Sequence, residues 1–286
     1  MIRIDHVGLV GPDVAALQAS FERLGFITTP PKLLMQADPK TGERHSLQQL
    51  CSHAVLEQGY VELSMLESGD HAHPVAGYVR RHQGLEILAF GSTDIEADAE
   101  RCRAAGLEPS AVSVATRDVA YGARHGAAQF HWFTLAPQSA PEGLVCFVHN
   151  HTPELVFQAE VMGHPNTASA ITGATIVSAD PARTAGLYRT LLQQEPRGEG
   201  EDLHFEWASQ RIRITTKHRF VADYPGAGVR KTPCLAAFEV TVRDIASTAG
   251  YLTRARVRFQ PRTDGGVWVG PRSAGGAALS FTPQPP

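Results

Sequence analysis

The chain repeats one pattern of hydrophobic and polar positions four times. Each copy opens with an apolar run that predicts a strand, passes through a short turn ending in Asp, and then carries apolar residues at helical spacing. In the first copy the strand covers residues 4–10, Asp13 is the predicted helix N-cap, and Gly25 ends the helix. Further strand patterns follow, near 47–56 and 60–66. This recurring unit predicts an α+β fold class built from four βαβββ modules.

The four copies group into two halves of similar size. We therefore predict an N-terminal domain of two modules over 1–150, a linker over 151–170, and a C-terminal domain of two modules over 171–286. Residues 217–233 contain a Tyr-Pro-Gly turn signal and are predicted to form a surface loop. The predicted helix caps of the four modules are Asp13, Asp94, Asp180 and Asp244.

Composition narrows the classes of protein and partner. The chain has 286 residues, of which 43% are hydrophobic, enough to form sizeable cores. A net charge of −3 and scattered Lys and Arg residues argue against nucleic-acid binding. The sequence shows no signal-peptide pattern and no apolar run of about 18 residues, so we expect a cytoplasmic protein that does not bind membranes. The cysteines form no Cys-x-x-Cys pair, which favours buried free thiols over disulfides or zinc ligands.

Short motifs in the first half resemble those of a known superfamily. They are the opening Ile-Asp-His-Val that contains His6, the Tyr-Val-Glu-Leu of residues 60–63, and the linker Thr-Pro-Glu-Leu-Val of 152–156 followed by His-Pro-Asn at 164–166. With the four modules, they resemble the glyoxalase-like branch of the vicinal oxygen chelate superfamily, which groups glyoxalases, bleomycin resistance proteins and extradiol dioxygenases. The resemblance implies two half-open mixed β-barrels with helices outside. It also implies a divalent metal inside a barrel, held by the first and last strands of each module.

The same resemblance implies which residues would hold that metal. In the first module it assigns His6 and Glu62 as ligands. In the second module it assigns Glu86 and His149, although a strict alignment would place Phe147 at the last position. Such a set suits Mn, Fe, Co, Ni or Zn, and Glu86 is the candidate catalytic base. The structural alternative is that His6 is an ordinary hydrogen-bonded histidine and that Glu62 is paired within the fold.

Other polar residues of the first half are candidates for substrate contact. They are Arg117, His131 and His53, and the aromatic residues that follow His131 would suit a small organic ligand. The corresponding positions of the second half, around Gly173 and Ala237, carry no evident metal ligands. We therefore expect the second half to be a scaffold, a lid or the contact surface of a homodimer.

These observations favour one function and leave two alternatives open. The favoured function is a metal-dependent glyoxalase-like enzyme, a lyase or isomerase, acting on a small oxygen-rich substrate that the metal chelates in the N-terminal barrel. The first alternative is a metal-free small-molecule binding or resistance protein that uses the same barrel as a cup. The second is an extradiol-type iron dioxygenase. The resemblance implies that enzymes of this kind hold iron in the second half, where this chain lacks evident ligands.

Overall fold

The described chain has an α+β fold with one sheet in each half of the chain. A computed structural model describes residues 2–38, 41–67, 73–229 and 231–284. Within these ranges the chain forms sixteen strands and eight helices. The first eight strands form one sheet and the last eight form the other.

The first sheet is a closed β-barrel. Its strands are β1 Arg3–Val10, β2 Lys32–Ala37, β3 Arg44–Val55, β4 Tyr60–Leu66, β5 Gly84–Gly91, β6 Ser113–Val119, β7 Gly126–Thr134 and β8 Leu144–Asn150. Their order around the barrel is β1-β4-β3-β2-β6-β7-β8-β5, with β1 and β4 parallel and β1 and β5 antiparallel. The barrel is closed rather than half-open because β2 pairs with β6, which places Met35 opposite Thr116.

The second sheet is open. Its strands are β9 Ala168–Val177, β10 Arg197–Glu199, β11 Asp202–Trp207, β12 Gln210–Thr215, β13 Cys234–Val242, β14 Phe259–Pro261, β15 Val267–Val269 and β16 Ala278–Pro283. The order is β10-β11-β12-β9-β13-β16-β15-β14, so the two edge strands are three residues long each. Such short edges leave few unpaired backbone groups for contact with another chain.

The predicted Asp residues cap the first helix of every module. Their side chains accept backbone N–H groups at distances between 2.8 and 3.1 Å, which satisfies donors that a helix N-terminus otherwise leaves unpaired. The helices are α1 Val14–Arg23, α2 Ala76–Val79, α3 Ile95–Ala104, α4 Pro153–Val156, α5 Ala159–Met162, α6 Pro181–Leu192, α7 Lys217–Asp223 and α8 Ile245–Arg254.

The two halves share one hydrophobic core. Apolar side chains from the outer face of the barrel and from the second sheet belong to a single buried cluster. The Phe21 ring of α1 lies 6.5 Å from that of Phe238 on β13, and the Phe26 ring lies 6.0 Å from that of Phe281 on β16. A separate apolar cluster, which includes Ile87, lines the inside of the barrel. The N-terminal barrel is therefore supported from outside by the second half.

The segment predicted as a surface loop after β12 instead begins with a helix. Helix α7 buries Phe220, and Tyr224 follows it with its ring 4.8 Å from that of Phe220. The Tyr224 hydroxyl lies 3.1 Å from the Ser280 Oγ atom of β16. Two aromatic residues one helical turn apart therefore bind this segment to the second sheet, and their burial outweighs the turn signal that follows them.

The cysteine prediction is confirmed, since Cys51, Cys102, Cys146 and Cys234 are all free and buried. In the part of the chain that the structure describes, none of the helices combines the length and the apolar character needed to cross a membrane.

Candidate functional site

A small cavity of about 60 Å³ lies inside the N-terminal barrel. The first module contributes mostly polar groups to its wall, and the second contributes mostly apolar ones apart from one arginine. The lining residues used below are His6, Gln49, Tyr60, Glu62, Ile87, Arg117, Phe130, Trp132 and Cys146.

His6 projects from β1 into this cavity. Its Nδ1 atom lies 2.8 Å from Oδ1 of the preceding residue, Asp5, and its ring stacks on Tyr60 at 4.5 Å. A proton on Nδ1 satisfies the Asp5 carboxylate and leaves Nε2 as an acceptor. His6 is therefore held by its neighbours and still offers one nitrogen to the cavity.

Glu62 lies on β4, the strand beside β1, and is held in its charged form. Its Oε1 atom accepts hydrogen bonds from Gln49 Nε2 at 2.8 Å and from Ser64 Oγ at 3.2 Å. Burial alone would raise the pKa of Glu62, but the neighbouring imidazoles of His53 and His6, together with the positive charge of Arg117, lower it to about 2. The Oε2 atom of Glu62 lies 3.8 Å from His53 Nε2, which is too long for a hydrogen bond.

Arg117 and His53 form a second buried pair next to Glu62. Arg117, on β6, contacts both ring nitrogens of His53 through Nη1, Nδ1 at 2.8 Å and Nε2 closer still, and its guanidinium lies over the Phe130 ring at 5.6 Å. Burial and the Arg117 charge lower the pKa of His53 to about 3, so this imidazole is neutral at pH 7. Arg117 lines the cavity, whereas His53 lies behind it.

The expected ligand Glu86 lies outside the cavity. Along β5, Gly8 pairs with Ile87 and Leu9 pairs with Leu85, so Glu86 is the extra residue of a β-bulge. Its carboxylate lies 2.6 Å from His82 Nδ1. The neighbouring residue Ile87 faces the cavity instead. The structure therefore does not bring Glu86 to the cavity that His6 and Glu62 line.

His149 also lies outside the cavity, on the opposite face of β8 from Cys146 and Val148, which line it. Its Nδ1 donates to the backbone oxygen of Ser92 at 2.8 Å. His131 pairs with it across β7 and β8 and likewise does not line the cavity. The structure thus corrects the expectation that both histidines serve the barrel site.

Sequence comparison identifies the family. The model of the glyoxalase-like domain matches residues 4–192. The chain belongs to the glyoxalase-like domain family. No curated protein matched the chain in the search.

Solved structures share the fold of this glyoxalase-like protein at low sequence identity. A hypothetical protein from Staphylococcus aureus is 10% identical, with a TM-score of 0.65 over 99% of this chain and 100% of its own. A mutant of 4-hydroxymandelate synthase from Streptomyces coelicolor is 14% identical, with a TM-score of 0.60 over 98% and 92%. The Mn(II)-bound glyoxalase from Novosphingobium aromaticivorans is 11% identical, with a TM-score of 0.58 over 99% and 83%. These similarities show that the chain shares the fold of these three proteins.

The internal repeat shows which positions of the glyoxalase-like barrel correspond. His6 lies seven residues before the capping Asp13, and Ile87 lies seven residues before Asp94. Strand pairing agrees, because His6 lies opposite Ala89 and Ile87 lies opposite Gly8. Ile87 is therefore the counterpart of His6.

The counterpart of Glu62 follows from the same pairing. Glu62 lies beside Gly8 on the neighbouring parallel strand, and Cys146 lies beside Ala89, the residue equivalent to Gly8. The second module thus presents an isoleucine and a cysteine where the first presents a histidine and a glutamate. Burial raises the pKa of the Cys146 thiol, so it is not a thiolate at neutral pH.

The residues present do not complete the expected four-ligand metal site. Only His6 and Glu62 of the four face the cavity. Over residues 2–38, 41–67, 73–229 and 231–284, no group of three or more His, Cys, Asp and Glu side chains is placed to hold a metal ion. Divalent metals of this class usually take at least three protein ligands.

The equivalent region of the second sheet is occupied by an ion pair. Arg211 of β12 binds the carboxylate of Glu239 on β13 through two hydrogen bonds, of 2.9 and 2.7 Å. Gly173, the counterpart of His6, lies opposite Glu239. Nothing in this arrangement favours an iron site of the dioxygenase type.

Sequence reasoning missed the contribution of Gln49, and it noted Trp132 only as an aromatic neighbour of His131. Gln49 could have been inferred from pairing of β3 with β4, since it lies on a strand that brings polar groups next to Glu62. Trp132 directly follows His131, and the alternation of a strand places these two residues on opposite faces. Of these two neighbours, Trp132 lines the cavity.

Proposed function

We propose that this protein binds a small oxygen-bearing organic molecule inside its N-terminal barrel, without a tightly bound divalent metal. One observation carries the proposal. The two second-module positions that correspond to His6 and Glu62 are Ile87 and the neutral thiol of Cys146. A cavity with one polar and one largely apolar wall suits an organic molecule better than a metal ion.

The polar wall can do more than bind. Nε2 of His6 can accept a proton while Asp5 holds the other ring nitrogen, which is the arrangement of an oriented general base. Glu62 is charged at neutral pH. Both of its hydrogen bonds are to Oε1, and no hydrogen bond to Oε2 is seen among the described residues. A proton transfer on the bound molecule is therefore chemically available to His6, with Glu62 stabilising positive charge nearby.

The metal-dependent lyase or isomerase remains a second candidate. It is favoured by the placement of His6 and Glu62 on the same cavity and by the contact of Asp5 with His6, since histidines that bind metals commonly have a carboxylate behind them. One structural neighbour is a Mn(II)-bound glyoxalase. Against it, the second module presents Ile87 and a neutral Cys146 thiol at the two positions where further ligands would be needed.

Ligand binding before and after chelator treatment separates the two candidates. Protein purified without a histidine tag is screened by thermal shift against small hydroxy, oxo and carboxylic compounds, and its metal content is measured. We expect stabilisation that survives chelator dialysis, is weakened by His6→Ala, and is unchanged in His131→Ala, whose side chain lies outside the cavity. Stoichiometric metal that is lost in His6→Ala, together with ligand stabilisation that requires that metal, would support the second candidate instead.

A further inference from the structure

Arg117 is a buried cation with no anionic partner among the described residues. The residue is 4% exposed, and no carboxylate of the described chain lies within ion-pair distance of its guanidinium. Its Nη2 atom is buried without a hydrogen-bond partner. A guanidinium stays charged at all ordinary pH values, and a buried charge without a partner is strongly unfavourable. The site is therefore incomplete at this atom.

The neighbours of Arg117 do not neutralise it. Its Nη1 contact is His53, which is uncharged at neutral pH. Glu62 is close enough to sense the Arg117 charge, but its Oε1 atom binds Gln49 and Ser64, and it forms no ion pair with Arg117. The described parts of the chain therefore supply no anion for this guanidinium.

Trp132 provides a second unsatisfied donor on the same cavity. Its Nε1 atom is buried, and no acceptor in the described parts of the chain binds it. Trp132 lies opposite Ser113 across β6 and β7, and Ser113 is four residues from Arg117, about 13 Å along the strand. The indole and the guanidinium only donate hydrogen bonds. A ligand that satisfies both presents an acceptor oxygen towards each end of the cavity.

The size of the space limits what can enter. The cavity of about 60 Å³ corresponds to the liquid volume of roughly two water molecules. His73 and Trp132 also line an adjoining outer groove of about 390 Å³. A carboxylate with its attached carbon fits the inner space, and the remainder of an elongated molecule can occupy the groove beyond Trp132.

We propose that the ligand is a small monocarboxylic acid whose carboxylate binds Nη2 of Arg117. A further oxygen of the molecule, outside the carboxylate, accepts a hydrogen bond from Nε1 of Trp132. This inference rests on the proposed function and specifies its ligand class. A carboxylate is the acceptor that a guanidinium binds most strongly, and the apolar wall that includes Ile87 and Phe130 suits the carbon chain.

Matched acids and amides test the charge requirement. Chelator-treated protein is titrated with butyrate and 4-oxopentanoate, with butyramide and 4-oxopentanamide, and with inorganic phosphate, using thermal shift and calorimetry. We expect both acids to bind, 4-oxopentanoate more tightly, and the amides to bind at least about tenfold more weakly because a charged acceptor is lost. Phosphate binding as tight as that of the acids would overturn the organic-acid assignment.

Variants of Arg117 locate the binding. Arg117→Gln is expected to abolish the preference for acids over amides, and Arg117→Lys to retain part of it, so the test does not depend on one variant folding. Arg44→Gln is the matched control, because Arg44 pairs with Asp118 at the surface. Acids and amides that bind equally well to the wild type, with no effect of either Arg117 variant, would overturn this inference and leave the proposed function standing. No binding by any of these compounds or by the wider screen would overturn both.

Discussion

Replacing Glu142 with glutamine should make the protein more stable at alkaline pH. Glu142 is 1% exposed at the contact between the two halves, where its Oε1 accepts the Tyr188 hydroxyl at 2.6 Å. Its backbone oxygen accepts the N–H of Leu235 in the second half at 3.2 Å. Glutamine keeps the size of the side chain and an acceptor oxygen, so the substitution removes only the ionisable group.

The expected size of the effect follows from the pKa of Glu142. Burial raises this pKa from 4.5 to about 7, despite the Tyr188 hydrogen bond that lowers it. A group with a raised folded-state pKa stabilises the fold fully below its unfolded pKa and loses that contribution as pH rises through the folded value. Because one pKa unit corresponds to about 1.4 kcal/mol, ionisation costs the folded state up to about 3 kcal/mol. The advantage of Glu142→Gln should grow by roughly 2 kcal/mol between pH 5 and pH 8.

Urea unfolding at pH 5, 6, 7 and 8 measures this difference. Tyr188→Phe is the companion variant. It removes the donor that stabilises the Glu142 carboxylate, so this variant should lose more stability at high pH than the wild type does. Parallel stability curves for the wild type and Glu142→Gln across this range would refute the reasoning, since the carboxyl group would then not titrate in the window that its burial requires.

Three further predictions concern the barrel. Glu62→Gln should lower the free energy of unfolding at pH 7 by up to about 3 kcal/mol, with the deficit shrinking as pH falls from 4.5 towards 2; equal stability in urea would contradict the charged state of Glu62. Gly8→Ala should cost about 1–3 kcal/mol, since the new Cβ would lie 2.8 Å from the Ile87 side chain, and adding Ile87→Val should recover part of it in thermal unfolding. The free energy of unfolding should fall as pH drops from 6.5 to 4, by up to about 1.4 kcal/mol per pH unit, because His53 takes up a proton only on unfolding. His53→Gln should make this fall shallower. An unchanged slope would mean that His53 is protonated in the folded state.

The repeat and its capping residues made the architecture predictable. Asp13 and Asp94 mark the start of a helix after an apolar strand, and this local signal does not depend on distant contacts. Closure of the barrel was not predictable in the same way. It depends on the pairing of β2 with β6, and β2 lies in a stretch whose composition is typical of a loop.

The candidate site was predictable only in its first half. His6 directly follows a register shift at Asp5 in β1, and Glu62 lies beside Gly8 on the parallel strand β4, so motif position and structural position agree. In β5 the sequence prediction selected Glu86, one residue before Ile87, which faces the cavity. A shift of one residue moves a side chain to the other face of a strand. The bulge at that position makes the error hard to avoid from sequence alone. His149 lies three residues beyond Cys146, the counterpart of Glu62, and on the opposite face of β8.

A crystal structure of the protein soaked with manganese tests the central claim most directly. The account predicts that anomalous density will not appear between His6 Nε2 and the Glu62 carboxylate, because the second module contributes Ile87 and Cys146 at the remaining ligand positions. A strong anomalous peak within about 2.2 Å of both His6 and Glu62, the usual distance for such ligands, would contradict it.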